Sequence, residues 1–205
     1  MARPAKQGPA RTRPRIVRAA WEAFREKGYR ASLEEVAARA GVARQTLYNH
    51  FPGKQLLFGE VVRHATRSIL VTLEGGESLR ETLIAFGRAL RERVLSPDGI
   101  AVYRTLVAEA ATFPELAGHF FAEGPVATRD RLAEVLAAAM RKGLIRRDDP
   151  AFAAEMLIAM LIEFDRLHRL LAPAGKRPAG GNKTEAVVDC FLRAFAPGDS
   201  GKTRR

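Results

Sequence analysis

Within the 205 residues, the side chains able to do covalent or metal chemistry are scattered. The four histidines, His50, His64, His119 and His168, stand far apart, and no paired cysteines or tight carboxylate cluster accompany them. Zinc needs His, Cys or carboxylate ligands at short, defined spacings, so no metal site is expected. No Ser-His-Asp, zinc-protease, phosphate-loop or dinucleotide pattern occurs. The nearest glycine pair, Gly180-Gly181, lies in a Gly/Pro-rich stretch. Neither a catalytic residue nor a cofactor is expected, and an enzyme is disfavoured. Residues 43–54 suggest a different chemistry. Arg44, Gln45, Thr46, Asn49 and His50 put hydrogen-bonding groups on one face of a helical pattern, with Leu47 and Phe51 on the other. Arg and Gln near a helix start can read guanine and adenine edges bidentately in a major groove. The hydroxyls of Thr46 and Tyr48, the imidazole of His50 and the ammonium of Lys54 suit phosphate oxygens, which set docking register.

Such side chains work only if something holds them outward. Ser32-Leu33-Glu34-Glu35 is a capping box: the serine hydroxyl accepts from the N3 amide, and Glu35 reaches back to the Ser32 amide. It opens a short helix with Leu33, Val36, Ala37 and Ala40 on one face. Gly41 permits a tight turn, Val42 tucks beneath it, and a second short helix runs over 43–50 until Pro52-Gly53 breaks it. Helices this short do not persist alone. A shared core of Ile16, Phe24, Leu33, Val36, Ala37, Val42, Leu47 and Phe51 must hold them, with a preceding helix starting near Arg15 and closed by Gly28. Two short helices meeting at a glycine turn are the pattern of a helix-turn-helix.

Residues 15–58 resemble the DNA-binding domain of the TetR family of bacterial repressors. The match runs through Ile16, Ala20, Phe24 and Gly28, the Ser32 cap, the segment VAARAGV, and above all TLYNHFPGK with the leucines after it. The resemblance implies DNA contacts by Ser32, Ala43, Arg44, Gln45, Thr46, Tyr48, Asn49, His50 and Lys54. Two departures stand out. Many members carry Ser or Thr where Ala43 stands, and alanine cannot cap, a loss of about 0.5–2 kcal/mol of helix stability. Gln45 replaces a frequently small residue. The resemblance further implies a ligand-binding and dimerisation domain over 59–196, pairing as a homodimer through helices near 150–171 and 183–195. The implied mode is repression, relieved by a small apolar or amphipathic effector. Phe86, Tyr103, Leu106, Phe120, Met160 and Phe164 are the candidate pocket residues.

The rest of the chain reads as all-α, about nine helices in total, with no sustained strand alternation and no internal repeat. Helical patterns cover 54–73, 78–95, 100–113, 114–123, 125–142, 150–171 and 183–195, separated by glycine and proline signals such as Gly75-Gly76, the Ser96-Pro97-Asp98-Gly99 turn and Asp149-Pro150. Residues 1–14 read as a flexible basic arm, 173–183 as a basic linker and 197–205 as a disordered tail. Of the net charge of +11, residues 1–64 carry +8 and the remainder +3. A basic module on a nearly neutral body suits a polyanionic partner. No long uncharged apolar run predicts a membrane span, and no apolar segment follows the basic start as in a signal peptide, so a cytoplasmic location is expected. The single Cys190 cannot form an internal disulfide and is expected to be buried as a small apolar residue. Glu163 and Asp165, mid-helix, are expected on a solvated or interfacial edge.

Overall fold

The computed structural model describes residues 9–171 and 183–197, with ten α-helices and no strand among them. They are α1 (Pro9–Lys27), α2 (Leu33–Ala40), α3 (Arg44–His50), α4 (Lys54–Leu70), α5 (Leu79–Val94), α6 (Pro97–Glu109), α7 (Pro114–Phe121), α8 (Ala127–Arg141), α9 (Pro150–Leu171) and α10 (Lys183–Ala194). The expected linker and tail lie largely outside the described residues, as does the arm up to residue 8.

Several boundaries differ from the sequence reading. Helix α1 starts at Pro9 rather than near Arg15 and carries Pro14 within it. Proline suits the first helical position, and the amide missing at Pro14 removes one bond near the helix end. Helix α6 begins inside the stretch read as a turn: Ser96 Oγ accepts from the Gly99 amide at 2.9 Å, the geometry of an N-cap ahead of Pro97. Pro125 does not separate two helices. It sits in a single π-helical turn, Ala122–Val126, that carries the backbone from α7 into α8.

Packing divides the chain into two units: the described residues up to Ala65 with Ala101–Gly124, and Thr66–Ile100 with the described residues from Pro125 onward. Helices α4 and α6 each pass from one unit into the other. In the first unit, Ile16, Ala20, Val36, Leu47 and Leu57 are fully buried, and Leu106 and Leu116 join the same core. An aromatic cluster ties its elements together. Phe24 and Phe58 meet edge-on at 5.4 Å, and Tyr29 meets Phe113 edge-on at 5.4 Å.

The second unit packs α5, α8, α9 and α10 around Leu83, Phe86, Leu132, Leu136, Leu157, Leu161, Val188 and Phe191. Gly87 lets α5 approach closely: a Cβ there would stand 2.7 Å from Thr184 Cγ2 and 3.1 Å from a Leu161 methyl. Asp165 departs from expectation. It is buried, with Arg91 Nη2 and Lys183 Nζ each 2.6 Å from a carboxylate oxygen. Burial pushes its carboxyl up, but Lys183 and Arg91 together outweigh that and hold it below the ordinary value. Arg91 also donates to the Leu161 carbonyl, so the triad joins α5, α9 and α10. Glu163 does lie at the surface, paired with Arg166. Cys190 is exposed on α10 rather than buried.

Candidate nucleic-acid interface

The local sequence builds a stiff platform for α3. At its start, the Glu35 amide donates to Ser32 Oγ at 3.1 Å and the Ser32 amide donates to Glu35 Oε2 at 3.0 Å, the reciprocal capping box. Lys27 pairs with the same Glu35, tying the end of α1 to the cap. At the far end of α2, Gly41 adopts φ +61°, ψ +40°, a left-handed conformation that glycine takes without a Cβ penalty. The Val42 amide then closes onto the Ala37 carbonyl at 3.0 Å, and the Arg15 guanidinium donates to the carbonyls of Ala40 and Gly41. Arg39 pairs with Glu26, a second clamp between α2 and α1. Four free carbonyls at a helix end want donors, and here both backbone and guanidinium supply them.

Helix α3 then stands on Leu47, which is fully buried, and on Phe51 at 2% exposure. Ala43 occupies the N-cap with extended backbone and no side-chain cap, as its residue type requires. Arg44, Gln45 and Asn49 are exposed; Thr46, Tyr48 and His50 are half-buried. Gln45 Nε2 donates to Asn49 Oδ1 at 3.0 Å, one turn along the same face. The Arg44 guanidinium lies 5.4 Å from the Tyr48 ring centre, and its Nη2 is 2.8 Å from Glu34 Oε1 of α2. Tyr48 first, then Glu34, raise the Arg44 guanidinium above its already high ordinary value. Ser32 and Lys54 are placed otherwise. Ser32 Oγ accepts the capping bond from the Glu35 amide. Lys54 is half-buried, with Nζ donating to the Tyr29 carbonyl and standing 4.3 Å from the Tyr29 ring centre. Burial pushes its ammonium below the ordinary lysine value.

Sequence reasoning missed Glu34 and Arg13. Arg13 belongs to α1, lies 4.7 Å over the Phe51 ring and pairs with Glu60 at 3.0 Å. Glu60 in turn meets Arg63, which forks onto Glu123 of the π-helical turn at 2.6 and 2.9 Å. The basic character of residues 1–14 hid Arg13's role. Nothing in the spacing distinguishes Glu34 from an ordinary first-turn acid.

The six candidate pocket residues are divided between the two units. Phe86 is fully buried in the packed core of the second unit, while Leu106 and Phe120 belong to the core of the first and Tyr103 is half-buried. Met160 and Phe164 face outward, at 37% and 74% exposure. Aromatic and methionine content marks apolar surface without saying whether it lines a void, a core or an outer face. An open depression of about 730 Å³ in the second unit is lined by other residues, among them Leu73, Arg80, Val135, Lys142 and Leu192. Among the described residues no group of three His, Cys, Asp or Glu is placed to hold a metal ion. No described helix is long and apolar enough to cross a membrane.

A capped α2, a left-handed glycine and an α3 with its polar face outward define a helix-turn-helix. Residues 16–61 match the bacterial regulatory proteins of the tetR family, and residues 81–197 match the AefR-like transcriptional repressor C-terminal domain. The chain is 30% identical over 156 residues to an uncharacterised HTH-type transcriptional regulator of Mycobacterium bovis, covering 73% of this chain and 77% of that one. Its fold is similar to that of a TetR-family transcriptional regulator from Mesorhizobium loti, with TM-score 0.74 and 28% identity, covering 93% of this chain and 100% of the other. It is also similar to the flavonoid-responsive regulator FrrA, with TM-score 0.69 and 29% identity, covering 92% and 99%. The protein belongs to the TetR family of DNA-binding transcriptional regulators.

Proposed function

We propose that the protein is a cytoplasmic, homodimeric repressor that binds one near-palindromic operator and leaves it when a small apolar or amphipathic molecule binds the larger domain. The observation that carries the reading is the outer face of α3: Arg44, Gln45 and Asn49 are exposed on a helix whose opposite side is anchored by the fully buried Leu47. Arg44 and Gln45 are the base-reading pair in this account, with Thr46, Tyr48 and His50 on phosphates. Lys54 has three N–H donors, one of them on the Tyr29 carbonyl, and a phosphate would take another.

Dimerisation rests on α9 and α10. Met160, Phe164, Leu167 and Leu171 are exposed at spacings of four, three and four, an apolar stripe down one helix face. On α10 the exposed residues Ala186, Cys190 and Ala194 are small and spaced by four, which permits close helix approach. A stripe of this kind on a soluble protein marks an interaction surface. A second copy would cover it and set two α3 helices about 34–36 Å apart, the repeat of the major groove. For the effector, FrrA is a structural relative that answers to flavonoids, which are amphipathic aromatics of the proposed class. Coupling of roughly 1–3 kcal/mol, a ~5- to 150-fold change in operator affinity, is enough to release DNA. Helix α4 begins beside α3 and continues as one helix past Ala65 into the second unit, a continuous backbone for such coupling.

Selection of bound duplexes from a random pool tests this directly. A two-fold symmetric consensus, followed by release with amphipathic aromatic compounds, is the expected result. Retention of all sequences equally would overturn the operator reading, and a consensus insensitive to every compound would overturn the sensor reading.

A further inference from the structure

Arg44 is exposed, yet it is not loose. Its Nη2 meets Glu34 Oε1 at 2.8 Å, and its guanidinium is stacked 5.4 Å from the Tyr48 ring centre. Glu34 is at the second position of α2, a helix fixed by the capping box and by the Arg39–Glu26 clamp. The carboxylate is therefore carried by a stiff element, while the guanidinium is at the end of a long chain with several rotatable bonds. A guanidinium carries five N–H donors in a fixed fork, so the contacts with Glu34 and Tyr48 still leave donors to present to a base. Gln45 is similarly braced by Asn49.

We propose that Glu34 is a positioning residue that sets the protein's base specificity: it fixes the guanidinium of Arg44 in one orientation and charges the protein an electrostatic penalty wherever that guanidinium is not matched to a base. This rests on the reading of α3 as the recognition helix. A guanidinium fork discriminates guanine only when both prongs are aligned with O6 and N7; a freely rotating arginine would satisfy any nearby phosphate instead. The Glu34 carboxylate repels phosphates and so lowers sequence-independent affinity, which is mostly electrostatic. It also competes for the arginine at every site where the base is wrong. Discrimination is a difference of affinities and can be gained by disfavouring the wrong partner. An exposed pair of this kind exerts an effect of about two- to fivefold.

The test compares base-preference profiles of wild type, Glu34→Gln and Glu34→Asp, each selected from the same random pool, with helix content and melting checked for each. Glu34→Gln is expected to flatten preference at one base position per half-site by about two- to fivefold. It should also bind non-specific duplex about two- to fivefold more tightly, with a salt dependence steeper by up to about 0.9 in log–log slope. Glu34→Asp, which keeps the charge, should fall between. In an Arg44→Ala background, Glu34→Gln should leave base preference unchanged, because the route through Arg44 is gone. A merely structural role would lower binding to all sequences alike. An unchanged Glu34→Gln profile, or the same flattening in the Arg44→Ala background, overturns the assignment of Glu34 while leaving DNA recognition standing. A wild-type protein that selects no consensus removes the α3 reading itself.

Discussion

In an Asp165→Ala protein, Arg91 and Lys183 keep their charges but lose the carboxylate that stands 2.6 Å from each. Removing one member of a buried pair costs about 3–5 kcal/mol because the other charge is left desolvated. The partners differ in their means of escape. The Lys183 side chain is 35% exposed and can turn to water, whereas that of Arg91 is 17% exposed and keeps the Leu161 carbonyl as a partner. The loss should therefore fall near the lower bound, about 3 kcal/mol. For a domain of this size that is roughly 6–12 °C in Tm. Urea denaturation followed by circular dichroism measures it at neutral pH. The pH dependence gives a second handle. The Asp165 carboxyl is held below its ordinary value in the folded protein. Its contribution is thus complete above the unfolded carboxyl value of about 3.9 and is lost as pH falls through the folded value. The gap between wild type and variant should stay constant from pH 7 to about 5 and narrow below about pH 4. A loss under about 0.5 kcal/mol at pH 7, or a gap that widens in acid, would refute the claim that the triad is a compensated buried charge cluster.

Leu47→Ala should cost about 2–5 kcal/mol and abolish specific DNA binding, since a seven-residue α3 has no stability of its own; denaturant melts and anisotropy titration check both. Gly87→Ala should destabilise by about 1 kcal/mol, the overpacking against Thr184 Cγ2 exceeding the helix-propensity gain. Thr184→Ser, which deletes that methyl, should restore most of the loss, and a Gly87→Ala protein that melts higher than wild type would contradict the contact. Phe164→Glu, on the exposed face of α9, should yield a folded monomer by analytical ultracentrifugation with operator affinity reduced at least tenfold.

The recognition unit was legible because its signals are local. The Ser32 box, Gly41 and the alternation of Leu47 and Phe51 with polar residues each have a short-range cause, and the structure reproduces them. Signals with two meanings misled. Proline and serine mark both turns and helix starts, so Ser96-Pro97 read as a turn and Pro9–Pro14 as an arm, although both open helices. Residues whose partners lie far along the chain were not legible. Asp165 is buried because Arg91 and Lys183 come to it across 74 and 18 positions. Cys190 is exposed because α10 turns Val188 and Phe191 inward instead. The candidate pocket residues have surroundings that spacing does not reveal either. Phe86, Leu106 and Phe164 look alike in a sequence, but their surroundings are a sealed core, a second core and an outer face.

Hydroxyl-radical footprinting of the wild-type protein on its selected duplex, repeated with Arg44→Ala, bears most directly on α3 as the part that enters DNA. Two protected patches one helical turn apart, on one face of the duplex, should be seen with wild type. Arg44→Ala should bind that duplex about 5- to 150-fold more weakly, the range of a lost bidentate base contact, and should lose selectivity at one position in each half-site. Protection by Arg44→Ala at the same concentration and with the same selectivity as wild type would contradict it.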